Sequence, residues 1–150
     1  MFDQDAENWR IVSENAYRVD QCINPSEELL ISVVSTIPDA IKNIYKPSEK
    51  VQLAAVAESG HAICCIQNPS DTVKFAAIST NSYSLQYITN PTEEMIYTAI
   101  RKNGYVIQYL VNPTEDMMYV AVCQNPKSIK YIKNPPDELK IFATLALDNN

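Results

Sequence analysis

Apolar residues return along this chain in columns spaced 22 residues apart. Leu29, Val51, Val73, Met95, Met117 and Leu139 form one column. Val33, Ala55, Ala77, Ala99, Ala121 and Ala143 form a second, and Val34, Val56, Ile78, Ile100 and Val122 a third. Within each copy the three columns are four and five residues apart, the spacing of one face of an α-helix. A further column of large residues, Trp9, Ile31, Leu53, Phe75, Tyr97, Tyr119 and Ile141, lies off that face, so the pattern predicts a helix covered on more than one side. The recurrent alanine marks a place where helices approach too closely for a larger side chain. A second, shorter apolar pattern follows in each copy, as Ile41/Ile44, Ile63/Ile66, Leu85/Ile88, Ile107/Leu110 and Ile129/Ile132. About seven residues of helix, α or 3₁₀, fit that pattern.

Prolines set the register. Pro25, Pro47, Pro69, Pro91, Pro113 and Pro135 each stand 22 residues from the next. Counting each copy from its proline, position 1, six copies follow, and a degenerate copy without proline starts at Asp3. The preceding residue is Asn24, Asn68, Asn90, Asn112 or Asn134, with Lys46 the exception. Asparagine there is expected to cap the helix N-terminus, with proline harmless at the first helical position. Glu27, Glu49, Asp71, Glu93, Glu115 and Asp137 then complete a capping-box pattern. Near position 13 the first helix is expected to stop, through a left-handed glycine at Ser59-Gly60 and Asn103-Gly104 and through Pro38 and Pro126 elsewhere. Two short helices cannot bury their own apolar faces, so neighbouring copies must stack. The expected fold is all-α: one domain over residues 1–150, an α-solenoid of seven 22-residue two-helix repeats in a HEAT-like superhelix. Its first and last copies are degenerate polar caps, marked by Glu7 at an apolar position and by the tail Asp148-Asn149-Asn150, and Trp9 reads as a packing anchor in the first.

The stretch "NPTEEMIYTAIRKNGYVIQYLVN", from Asn90 to Asn112, resembles the short helical repeats grouped as DUF4116 and the related leucine-rich-variant repeats. The resemblance covers nearly the whole chain and is strongest between Pro47 and Asn134. It implies a stacked helical repeat and offers no catalytic residue to carry over. Such repeats occur in bacterial, phage and large-virus proteins, so the resemblance also implies a phage or mobile-element setting, in which a small non-enzymatic protein acts as an inhibitor of a host protein.

Composition narrows the task. The chain has 150 residues, 46% of them hydrophobic, and a formal charge of −6. That composition predicts a folded core, and the negative charge argues against nucleic acid as a partner. No apolar run approaches the ~18 residues of a membrane span, and the acidic start is unlike a signal peptide. A cytoplasmic protein is expected, with Cys22, Cys64, Cys65 and Cys123 reduced.

Candidate chemistry is sparse. In "HAICC", His61 stands three and four residues from Cys64 and Cys65, a possible thiolate–imidazole pair or metal corner. Both His61 and Cys65 fall in columns filled elsewhere by tyrosine, so neither a metal nor a cofactor nor a catalytic residue is expected. The acidic pairs recur where helices start, and no phosphate loop, HExxH string or Ser-His-Asp order occurs. What remains is a surface. Position 15 carries Tyr83 and Tyr105, position 19 carries Tyr87, Tyr109 and Tyr131, and Gln86, Gln108 and Lys130 lie beside them at position 18. At i,i+4 on the second helix these tyrosines are expected to form two adjacent columns, a protein-binding face on an elongated repeat surface. The same rings could instead staple copy to copy. Two other functions fit the sequence: a small-ligand or nucleotide pocket near His61 and Tyr83, and a structural subunit assembling through its ends.

Overall fold

Repeat units two helices deep account for the architecture. A computed structural model describes residues 4–148; the expected start of the first copy at Asp3 and the tail residues Asn149 and Asn150 lie outside the described residues. The backbone groups into two compact units, Met1–Asn81 and Ser82–Asn150. Unit 1 contains α1 (Gln4–Glu14), η1 (Ala16–Gln21), α2 (Glu27–Thr36), η2 (Pro38–Asn43), α3 (Glu49–Glu58), η3 (Gly60–Cys65) and α4 (Asp71–Thr80). Unit 2 contains η4 (Ser82–Tyr87), α5 (Glu93–Lys102), η5 (Gly104–Tyr109), α6 (Glu115–Gln124), η6 (Pro126–Tyr131) and α7 (Asp137–Asp148). Each α is an α-helix and each η a 3₁₀ helix, and no strand occurs among the described residues. In unit 1, α2 packs on α3 and α3 on α4, while η1, η2 and η3 stack on one another. Unit 2 repeats the plan with α5 on α6 on α7, and η4 on η5 on η6. Each unit is thus a solenoid-type array of α layer on 3₁₀ layer.

The expected columns form the core. Leu29, Val51, Val73, Met95 and Leu139 are fully buried, as are Ala55, Ala77, Ala99 and Ala121 and their neighbours Val34, Val56, Ile78, Ile100 and Val122. One core column was not expected. Position 16, held by Ala40, Ala62, Ser84, Val106 and Ser128, is also buried. Its two serines carry hydroxyls with no hydrogen-bond partner among the described residues.

The turns correct the expected punctuation. The asparagines before the prolines do not cap the helices. The caps are Ser26, Ser48, Ser70, Thr92 and Thr114, whose side chains accept from the backbone N–H of Leu29, Val51, Val73, Met95 and Met117. The acidic residues are therefore the first of the helix, where they face its positive end, and form no capping box. Asn24, Asn68, Asn90 and Asn134 have φ of 46°, 50°, 51° and 53°, and Lys46 in the same place has 48°. Asparagine is there because it tolerates left-handed backbone better than other side chains. The glycines, by contrast, have no positive φ. The residues ending the α-helices, such as Ser59 and Asn103, are extended at φ −145° and −155°. Asn103 and Asn125 then cap the following 3₁₀ helices, accepting from Tyr105 and Lys127.

The two end copies also differ from expectation. In α1 the buried residues are Asn8 and Val12, and Asn8 is a polar one. Its amide grips the backbone of Ile23, donating to the carbonyl at 2.9 Å and accepting the N–H at 3.1 Å. Glu7 pairs instead with Arg10 on the surface. Trp9, expected to anchor packing, is 44% exposed. In α7 only Leu139 and Ala143 are buried, while Ile141, Phe142, Leu145 and Leu147 are exposed. The outer face of α7 is apolar, not the polar cap expected.

Candidate functional site

The 3₁₀ helices decide how the tyrosines are presented. With about three residues per turn, positions 14, 17 and 20 eclipse one another and form the buried edge. Positions 15 and 18 share a second edge, and position 19 falls on the third, beside position 16. Positions 15 and 19 therefore flank the 17/20 edge on its two sides, so Tyr83 and Tyr87 lie on different edges of η4.

The rings meet across copies rather than along one helix. Tyr83 packs edge-on against Tyr109, with centroids 6.2 Å apart and planes at 79°. Tyr105 meets Tyr131 in the same way at 5.7 Å and 83°. Position 15 of one copy thus touches position 19 of the next, an arrangement that aromatic quadrupoles favour. Tyr83 and Tyr105 are half-buried. Tyr87, Tyr109 and Tyr131 remain 40%, 36% and 38% exposed. Burial, and then the neighbouring Tyr83, Tyr87 and Tyr131, raise the Tyr109 phenol above its ordinary pKa. The stapling arrangement and the exposed surface therefore coexist on the same residues.

The polar neighbours hold fixed attitudes. Gln86 and Gln108 turn back on their own turns, each side-chain amide donating to the carbonyl of Tyr83 or Tyr105 at 3.1 and 3.0 Å. Lys130 lies over two rings, its Nζ 4.8 Å from the Tyr131 centroid and 5.8 Å from that of Tyr105. Between the inter-copy loops a cleft of about 190 Å³ opens, lined by Gln108, Tyr109, Leu110, Val111, Pro113, Tyr131 and Lys133. Val111, Pro113 and Lys133 were not expected at the site. The signal in the sequence was Val111 itself, an apolar residue at position 21 that falls outside every core column and is 86% exposed.

The "HAICC" segment lies on η3. Cys64 Sγ is 3.7 Å from His61 Nε2 and 3.6 Å from Cys65 Sγ. No group of three or more His, Cys, Asp or Glu side chains that could hold a metal occurs among the described residues. Burial, and then the hydrogen bond with Cys64, push the Cys65 thiol up to about 11. That is the reverse of what activates a nucleophilic thiolate. No family model, curated protein or solved structure matches the chain. No helix of the described residues is long and apolar enough to cross a membrane.

Proposed function

We propose that the tyrosine edge of unit 2 docks a protein partner, and that the chain is a non-enzymatic interaction module. The carrying observation is the cleft between Tyr109 and Tyr131, sized for one apolar side chain. Rings already fixed by edge-on contacts lose little rotamer freedom on binding, which favours them as anchors. Lys133 lines the cleft and Lys130 lies over the Tyr131 ring that lines it, so an acidic group beside the inserted side chain fits best. The resemblance to phage and viral repeats supports a host protein as the partner and inhibition as the outcome.

The test is co-purification from the native host with three forms of the chain. A protein retained at equal stoichiometry by wild type and by Lys102→Ala should be lost with Tyr109→Ala/Tyr131→Ala. Removing one anchor costs about 2 kcal/mol, so binding should weaken by roughly 30-fold or more. Undiminished retention by a variant with wild-type circular dichroism would place the docking face elsewhere. A variant that unfolds would make the rings staples alone.

The exposed apolar side chains of α7 favour a second reading, assembly through that helix. Ile141 and Leu145 are 61% and 58% exposed, four residues apart on one side, and patches of this kind mark contact surfaces. Sedimentation velocity across a concentration series should show association of the wild-type chain and a monomer for Ile141→Glu/Leu145→Glu. A wild-type chain that stays monomeric at all concentrations removes this reading.

A further inference from the structure

A larger cleft opens in unit 1 at the same place in the repeat as the tyrosine cleft of unit 2. It encloses about 680 Å³ and is lined by residues of two successive inter-copy loops, among them Lys42, Asn43, Tyr45, Lys46, Cys65 and Asn68. Neither His61 nor Tyr83, around which a ligand pocket was expected, lines it. The difference in size follows from position 19. Unit 2 places Tyr109 and Tyr131 there; unit 1 places Asn43 and Cys65, which leave the space of the rings open. The volume lies within the range of small-molecule sites.

Its walls carry positive charge without any carboxylate. Lys42 and Lys46 line it, and no Asp or Glu does, in a chain whose net charge is −6. Asp39 acts on Cys65 electrostatically but does not line the cleft. Cys65 adds no negative charge, since burial holds it as the thiol. The lysines are placed by aromatic rings: Lys42 Nζ is 4.9 Å from the Tyr17 centroid, and Lys46 Nζ is 5.2 Å from that of Tyr45. Tyr45 itself is 86% exposed. The Asn43 and Gln52 amides are spent on the Tyr17 and Pro47 carbonyls, whereas the Gln67 and Asn68 side chains have donors in hand.

Lys46 is the informative residue. It stands where the other copies hold asparagine, and it does so at φ 48°. A lysine there carries a steric cost that asparagine largely avoids. Backbone strain of this kind persists where function requires the side chain. We propose that the unit 1 cleft binds a small organic phosphate, its phosphate paired with Lys42 and Lys46 and a planar remainder lying against Tyr45. A phosphate suits two ammonium groups as point charges, and the exposed ring supplies a stacking surface.

The probes are adenosine monophosphate, adenosine and inorganic phosphate, titrated into the full chain by calorimetry. Adenosine monophosphate should bind more tightly than about 1 mM, with adenosine and inorganic phosphate each at least tenfold weaker. Lys46→Asn should weaken adenosine monophosphate at least tenfold while raising the melting temperature by about 2–4 °C. Lys42→Ala should weaken it similarly. Lys50→Ala, which removes a lysine paired with Glu27 outside the cleft, should leave binding unchanged. No binding to wild type, or equal binding by both cleft variants, overturns the proposal. A lower melting temperature for Lys46→Asn would overturn the argument that strain is carried at Lys46 for a ligand.

Discussion

Gly104→Ala should lower the melting temperature by about 6–12 °C, the shift expected for a loss of roughly 3 kcal/mol in a chain of this size. The reason is contact, not backbone freedom. A Cβ on Gly104 would overlap the Ala121 carbonyl oxygen and sit 3.1 Å from its carbon and 3.0 Å from Gln124 Oε1. The obstacle is backbone of α6, which cannot swing aside as a side-chain tip can. Yielding would also disturb the bond from the Gly104 N–H to Gln124 Oε1 at 2.6 Å, with which Gln124 ties α6 to η5. Other copies hold Ala16, Pro38, Ser82 and Pro126 at the same position, so a side chain is not forbidden there in general. Thermal unfolding followed by circular dichroism checks this. A change under about 2 °C would mean that η5 and α6 stand further apart than described.

Ile100→Ala should cost about 3 kcal/mol, within the usual range for truncating a buried isoleucine. Ile100 is fully buried, and so is its neighbour Ala99. The buried alanines of α5 and α6, Ala99 and Ala121, have side chains too short to reach into the space left behind. The void therefore stays, and its cost adds to the lost transfer free energy. The measurement is the urea midpoint of the variant against wild type at unchanged slope. A loss below about 1 kcal/mol would show that the helices collapse onto the gap.

The core columns were legible because large apolar residues at positions 5, 10 and 17 and alanine at position 9 leave a strong periodic trace. Position 16 was not, because Ala40, Ser84 and Ser128 are small and partly polar, and small residues in a close contact look like surface in a hydropathy pattern. The helix starts were legible to within two residues. The string Asn-Pro-Ser/Thr-Glu offers two capping side chains, and asparagine suits both a cap and a left-handed turn. Only the backbone angle at Asn24 and its counterparts separates the two roles. The tyrosines were found as a group, but which ring meets which, Tyr83 with Tyr109 and Tyr105 with Tyr131, depends on inter-copy packing that column spacing does not carry. The unit 1 cleft left a faint trace in the sequence. Lys46 was visible as the exception to the asparagine rule, yet nothing in the sequence alone shows that Asn43 and Cys65 leave a space beside it.

The three-residue turn of η1 to η6 limits how such a chain can change its length. Losing one residue inside a 3₁₀ segment turns everything beyond it by about 120°, which carries Ile107 or Ile63 out of the core and a tyrosine or cysteine into it. An α-helix would rotate by a similar angle, but its wider apolar arc leaves more tolerance for the error. Excising or duplicating a whole 22-residue copy returns every column to register, with its proline, cap and left-handed asparagine intact. Whole repeats are therefore the unit in which such a frame gains or loses length with its core intact. Within a repeat, novelty is confined to the exposed edge, where exchanging Tyr131 for the equivalent of Cys65 converts a narrow slot into a roomy one without touching the frame.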